Sequence, residues 1–177
     1  ADPGRFLIGL GQVAGGSFNQ LWMPWKPKLA ERERDREKTI QSTGLGSTGM
    51  HPVQLFLEVE KWLTQESVIV ADGGDFVGTA SYVLHPRRPL SWLDPGVFGT
   101  LGIGGGFAAG AKLCNPESEV VIIYGDGSAG YSLMEFDTFV RHKIPVLAIV
   151  GNDASWAQIA RDQMEILKDD TGTVLAY

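Results

Sequence analysis

Apolar positions along the chain change their period several times, and each change marks an element. Residues 51–63 place Val53, Leu55, Phe56, Leu57, Val59, Trp62 and Leu63 in a largely apolar helical stretch, with Pro52 suited to a first turn. Residues 67–71 form a short, continuously apolar run, and 119–124 and 145–150 form two more. Runs this short and this apolar, each closed by polar turn residues, predict strands buried on both faces. The closing clusters are Asp72-Gly73-Gly74-Asp75, Gly125-Asp126-Gly127 and Gly151-Asn152-Asp153. Between the strands, 99–113 reads as a small-residue helix, and 133–142 as one with Leu133, Phe136, Phe139 and Val140 on a single face. Alternating strands and helices predict an α/β fold, a parallel sheet with helices on both faces. Ligands bind such sheets beyond the carboxyl ends of the strands. All three ends here carry small or oxygen-bearing residues.

Charge and glycine sharpen that picture. Residues 26–38 hold six basic and four acidic side chains with alternating signs, which predicts a solvated helix with i,i+4 pairs. Ahead of it Phe18, Leu21, Trp22, Met23 and Trp25 form an apolar cluster that must pack on something, a neighbouring domain being one choice. Residues 41–50, with Gly44 to Gly49 interspersed with Ser and Thr, read as a linker, so that 1–40 and 51–177 are separate parts. Over the whole 177 residues the net charge is -6, which argues against a nucleic-acid partner. The single cysteine, Cys114, excludes an internal disulfide and reads as packing. No apolar run approaches the ~18 residues of a membrane span. Ten of the 23 glycines fall between Gly96 and Gly130, so this stretch of backbone must approach something closely.

Asp126 and Asn152 carry the clearest chemistry. Twenty-four residues separate Gly127 from Asn152, the length of a helical crossover that returns a chain beside its starting strand. The two side chains are therefore expected side by side, where a carboxylate, an amide oxygen and a nearby carbonyl make half of an octahedral Mg2+ shell. Phosphate oxygens and water would complete it. A dinucleotide pattern is formally present over 104–109, but Asp94-Pro95-Gly96 stands where its leading strand belongs. Gly102, Gly106 and Gly110, at i,i+4 spacing, read instead as a close helix-packing face. His51 and His142 sit at helix ends, Trp62 and Trp92 read as core, and His85 lies in a loop open to a partner.

Gly125-Asp126-Gly127, the 24-residue interval and Asn152 resemble the cofactor motif of thiamine diphosphate-dependent enzymes, the fold being their pyrophosphate-binding domain. The segment 94–102 is similar to one in the acetolactate synthase group. Residues 72–80 and 135–145 resemble the acetolactate synthase-like 2-hydroxyacyl-CoA lyases of the endoplasmic reticulum. The resemblance implies thiamine diphosphate and Mg2+ as cofactors. Asp126, Asn152 and the carbonyl of Ala154 would be the metal ligands, although Gly151 stands where the family often has a first asparagine. Gly125 shapes the turn, while Gly127, Ser128, Ser155 and Trp156 would contact the diphosphate, with Asp75 and Phe76 on its other side. Main-chain groups of Gly99 and Leu101 would hold the aminopyrimidine, with the Leu101 side chain as a wedge. Carbanion chemistry would belong to the cofactor.

The resemblance also implies a carbon–carbon lyase in fatty acid α-oxidation, giving a shortened aldehyde and formyl-CoA. Acetolactate synthase-type condensation of 2-oxo acids and a non-catalytic cofactor-binding scaffold are the alternatives. No catalytic residue is expected within the chain. The glutamate that activates the pyrimidine would lie in a missing N-terminal domain, usually of a second subunit. The chain then reads as a fragment, inactive alone: the tail of a central domain, a linker, and a pyrophosphate-binding domain truncated at its C-terminus. A homo-oligomer, an acyl-CoA or 2-oxo acid substrate, and an endoplasmic reticulum membrane anchor ahead of Ala1 follow as expectations. FAD, found in the wider family, has no readable residues here.

Overall fold

The computed structural model describes residues 2–14 and 22–173. The chain divides into two compact units, Ala1–Thr43 and Gly44–Tyr177.

The first unit contains helices α1 (Pro3–Ala14) and α2 (Trp25–Ser42), neither with a buried residue. Asp2 caps α1 by accepting the amides of Gly4 and Arg5 on Oδ1, at 2.8 and 3.2 Å. Along α2, ion pairs join Glu33 to Arg36 and Asp35 to Lys38, three residues apart, and Gln41 donates to Glu37 four apart. Trp22, Met23 and Trp25 are each more than half exposed. Phe18 and Leu21, from the same apolar cluster, lie outside the described residues.

In the second unit, α3 (Pro52–Trp62) starts at its proline, with His51 Nδ1 accepting the Val53 amide at 3.2 Å. Phe56 is wholly buried, whereas Trp62 is 46% exposed and so stands outside the core. Four parallel strands follow in the spatial order β2-β1-β3-β4: β1 (Val68–Asp72), β2 (Trp92–Leu93), β3 (Val120–Gly125) and β4 (Leu147–Gly151). The helices around them are α4 (Gly74–Val83), α5 (Gly104–Cys114), α6 (Asp126–Ser132), α7 (Glu135–His142) and α8 (Ala157–Leu167). Among the described residues, no helix is long and apolar enough to cross a membrane.

The sheet is α/β and parallel, with both faces covered, because side chains alternate along each strand. Val68, Val70, Val120, Ile122 and Tyr124 point one way and pack with Ala108 and Ala111 of α5 and Phe139 of α7. Ile69, Ala71, Val121 and Ile123 point the other way and are equally buried, on the side where α4 meets β3. At about 25 cal/mol per Å2, such double-sided burial makes β1 and β3 the stabilising centre of the unit.

Several expectations need correction. The apolar run at 145–150 forms β4, an edge strand among the described residues, with Leu147 and Val150 each 47% exposed. Leu133 and Val140 are exposed, so the buried face of α7 is Phe139, with Phe136 partly covered. The glycine-rich helix begins at Gly104 rather than Gly99, because Gly99 and Gly102 have φ of 59° and 89° and the chain turns there. Of the i,i+4 series Gly102 alone is closely packed, a Cβ there lying 2.7 Å from Tyr131 Cβ, and the neighbouring tight positions fall outside the series. A Cβ on Gly104 would lie 2.6 Å from the Tyr124 ring, and one on Gly105 2.7 Å from Glu135 Cγ, whereas Gly106 and Gly110 face open space. Cys114 ends α5 exposed rather than packed.

Candidate functional site

The parallel register builds the site before any side chain is considered. Gly125 pairs with Gly151, and Asp72 pairs with Tyr124, so β1, β3 and β4 end at nearly one level. Asp126 and Asn152 each follow one residue beyond a paired glycine, on adjacent strands. Past these ends lies a cavity of about 510 Å3, within the usual size of a small-molecule site.

Of the residues singled out in the sequence, Asp75, Phe76, Gly99, Leu101, Gly125, Asp126, Gly127, Ser128, Ser155 and Trp156 line this cavity. Asn152 and Ala154 do not. Asn152 Oδ1 instead accepts the Ala154 amide at 3.0 Å, and Ala154 takes a left-handed φ of 54°. Asp153 occupies the wall in their place, its Oδ1 accepting the Ser155 amide at 3.0 Å and hydroxyl at 3.2 Å.

Each wall is tight for a specific reason. Gly73, with φ of 82°, turns the chain out of β1, and a Cβ there would lie 2.4 Å from Leu101 Cδ2 and 2.9 Å from Ser128 Cβ. Phe76 lies across Gly151, where a Cβ would come within 2.2 Å of the ring, and it meets Phe56 at 4.6 Å between centroids. Trp156 covers Gly127, its ring edge 3.5 Å from where a Cβ would stand. Gly-Asp-Gly opens α6 directly: Asp126 is the first helical residue and its Oδ1 accepts the Gly127 amide at 2.9 Å. The Ser128 hydroxyl is turned inward, donating to the Asp72 carbonyl and to the Gly125 carbonyl, the latter at 2.9 Å.

Two charged groups escaped the sequence reading. Asp72 is fully buried at the end of β1, and its carboxylate accepts the amides of Gly102 at 3.0 Å and Gly104 at 2.7 Å. Burial pushes its pKa up, against the lowering effect of those two hydrogen bonds. An acid directly ending a wholly apolar strand was the available signal. Arg161, on α8, grips Asp75 through both guanidinium NH2 groups, at 2.8 and 2.5 Å. Hydrogen bonding to Arg161 holds the Asp75 carboxyl below its ordinary range. No local motif announces Arg161, since its partner lies 86 residues away.

The donor chemistry suits a hard dication: one carboxylate, one amide oxygen and a main-chain carbonyl from neighbouring strand ends, all oxygen. Asp126 Oδ1 and Asn152 Oδ1 each accept a single amide, which leaves lone pairs on both side chains. Among the described residues, no cluster of three His, Cys, Asp or Glu side chains forms a separate metal site.

Comparison with known proteins identifies the family of the domain that carries this cavity. The family described as "Thiamine pyrophosphate enzyme, C-terminal TPP binding domain" matches residues 72–175. The chain is 51% identical to human "2-hydroxyacyl-CoA lyase 2" over 179 aligned residues, covering 99% of this chain and 28% of that protein. Identity to the Danio rerio protein of the same name is also 51%, over 178 residues with the same coverage. A "Probable acetolactate synthase" of Mycobacterium bovis is 36% identical over 154 residues, covering 87% of this chain and 28% of its own length. The chain thus spans a little over a quarter of the curated relatives it matches.

Proposed function

Because the chain belongs to the thiamine pyrophosphate enzyme family, matched over its C-terminal cofactor-binding domain, we propose that its cavity takes thiamine diphosphate with Mg2+. In the whole protein this would serve carbon–carbon bond cleavage in 2-hydroxyacyl-CoA substrates. The observation that carries the reading is the convergence of Asp75, Asp126, Gly127, Ser128 and Trp156 on one cavity at the carboxyl ends of β1, β3 and β4.

Asp126, Asn152 and the Ala154 carbonyl would hold the metal. The amides of Gly127 and Ser128 would face the diphosphate; Ser128 offers only its amide, because its hydroxyl is engaged. Ser155 and Trp156 would close the β4 side. Asp75 is one of four carboxylates on the cavity wall, with Asp94, Asp126 and Asp153, and its pairing with Arg161 offsets its own share of the repulsion an anionic ligand would meet. Main-chain groups of Gly99 and Leu101 would hold the pyrimidine, with the Leu101 side chain beneath it. Bound thiamine diphosphate would supply a stabilised carbanion, the chemistry needed beside a carbonyl. The residues of this chain would orient it and exclude water. A homo-oligomer that completes the site and an endoplasmic reticulum membrane location belong to the same proposal, on the strength of the resemblance.

Titrating the full-length protein with thiamine diphosphate at fixed Mg2+, beside Asp126→Ala, tests the metal bridge. The variant should bind at least about tenfold more weakly, since it loses a charge-assisted contact. Equal affinities would sink the bridge. Assays of 2-hydroxyacyl-CoA cleavage and of acetolactate formation then separate the lyase from the condensing reading, which the Mycobacterium bovis relative supports. Binding without either turnover would favour a scaffold.

A further inference from the structure

Asp72 sits where no side chain facing the cavity is needed: it is fully buried and does not line the wall. A buried carboxylate is costly unless its oxygens are satisfied, and each oxygen here has its own backbone donor. Oδ1 takes the Gly102 amide and Oδ2 the Gly104 amide, so the carboxylate holds the first and third residues after Leu101. Gly104 also begins α5, and a negative group at a helix start is favoured by the dipole. The main-chain carbonyl of Asp72 accepts the Ser128 hydroxyl of α6. One residue therefore ties together the Leu101 loop, the start of α5 and the helix that carries Asp126.

We propose that Asp72 is a positioning residue for the cofactor: its two-oxygen clamp on Gly102 and Gly104 fixes Leu101 at the cavity wall. The inference rests on the reading that this cavity takes thiamine diphosphate. Space leaves Leu101 few alternatives while the clamp holds, since its Cδ2 fills the volume that any Cβ on Gly73 would occupy. Gly104 is equally committed, with the Tyr124 ring and Asp72 Oδ2 at 2.6 and 2.9 Å from an added Cβ. Asparagine cannot replace the clamp. It keeps one acceptor oxygen and turns an NH2 group toward the other amide, donor against donor. Asp72 should matter for the ring end of the cofactor and not for its diphosphate end, because the hydroxyl link to α6 uses the main-chain carbonyl, which Asp72→Asn retains.

The test compares wild type and Asp72→Asn in the full-length protein at fixed Mg2+, titrating each with thiamine diphosphate and, separately, with inorganic diphosphate. Hydrogen exchange over residues 101–105 is followed in parallel. The variant should bind thiamine diphosphate about tenfold more weakly. Its inorganic diphosphate affinity should stay within twofold of wild type, while exchange over 101–105 accelerates. Unchanged thiamine diphosphate affinity would overturn the proposal. Equal losses for both ligands would also overturn it, as the mark of general structural damage. Should Asp72→Asn fail to fold, wild type alone decides: slow exchange at Gly102 and Gly104 supports the clamp, and exchange as fast as in exposed loops overturns it. Absence of thiamine diphosphate binding by wild type would instead strike the functional reading beneath it.

Discussion

On the β1–β3 flank of the cavity the polar contacts are out of water: the Asp72 clamp, the Ser128 hydroxyl on the Asp72 carbonyl, and Tyr124 to Ser132 at 2.9 Å. On the β4 flank they are exposed: Asn152 and Asp153 bonded to backbone within two residues, and the Asp75–Arg161 pair, 45% and 59% exposed. Buried hydrogen bonds are expensive to break because the orphaned group finds no water. Exposed ones exchange with solvent at little net cost. One flank is thus a fixed template, while the other, bearing Asn152, Ala154, Ser155 and Trp156, can rearrange when a metal or anion offers better partners.

The largest effect separating the flanks should come from Ile122→Ala, at the wholly buried centre of β3. It should lower unfolding free energy by roughly 2–5 kcal/mol in urea titrations. A smaller contrast lies within α5. Gly104→Ala drives a methyl into Tyr124 and should cost about 1–3 kcal/mol. Gly106→Ala, two residues on, meets nothing and should stabilise by up to about 1 kcal/mol. Equal behaviour of the two in thermal melts would break the claim that, among the glycines of α5, close packing is confined to Gly104 and Gly105. On the exposed flank, Arg161→Gln should change stability by less than about 1 kcal/mol, and 1 M salt should erase the difference.

The smallest effects are in acid, and they have opposite signs. The Asp75 carboxyl is held low, so the native state binds its proton less readily than the unfolded chain. That contribution is present above the ordinary aspartate range and disappears as pH falls through the lowered value. Asp72 is pushed up, so the native state holds that proton more tightly, and stability falls as pH rises through the interval between its unfolded and folded values. Stability–pH curves of Asp75→Asn and Asp72→Asn should therefore depart from wild type in opposite directions as pH is lowered through the aspartate range.

How much of this was legible follows the same division. β1 and β3 announce themselves because a strand covered on both faces must be apolar at every position. The adjacency of the strand ends that carry Asp126 and Asn152 followed from the crossover length and is seen in the Gly125–Gly151 register, although Asn152 itself does not line the cavity. β2 was hidden because two residues, Trp92 and Leu93, carry no period. α4 was hidden as well: it begins on Gly74 directly after β1, and Gly-Asp-Phe-Val-Gly-Thr shows no amphipathic stripe. The buried role of Asp72 and the grip of Arg161 depend on partners 30 and 86 residues away. Spacing along the chain does not encode such contacts. The glycine series misled because i,i+4 recurrence presumes one helix, and the turn at Gly102 breaks it.

The paired glycines at the ends of β3 and β4 have a consequence for how this site varies. A Cβ on Gly125 would stand 3.0 Å from the Gly73 carbonyl oxygen, and one on Gly151 would enter the Phe76 ring. At these two positions, on adjacent strands, there is thus no side chain that mutation could trim or swap. Drift there has only one direction, toward obstruction. Diversification of ligand preference must therefore come from the rim, where the loops after β4 and before α5 supply the replaceable atoms.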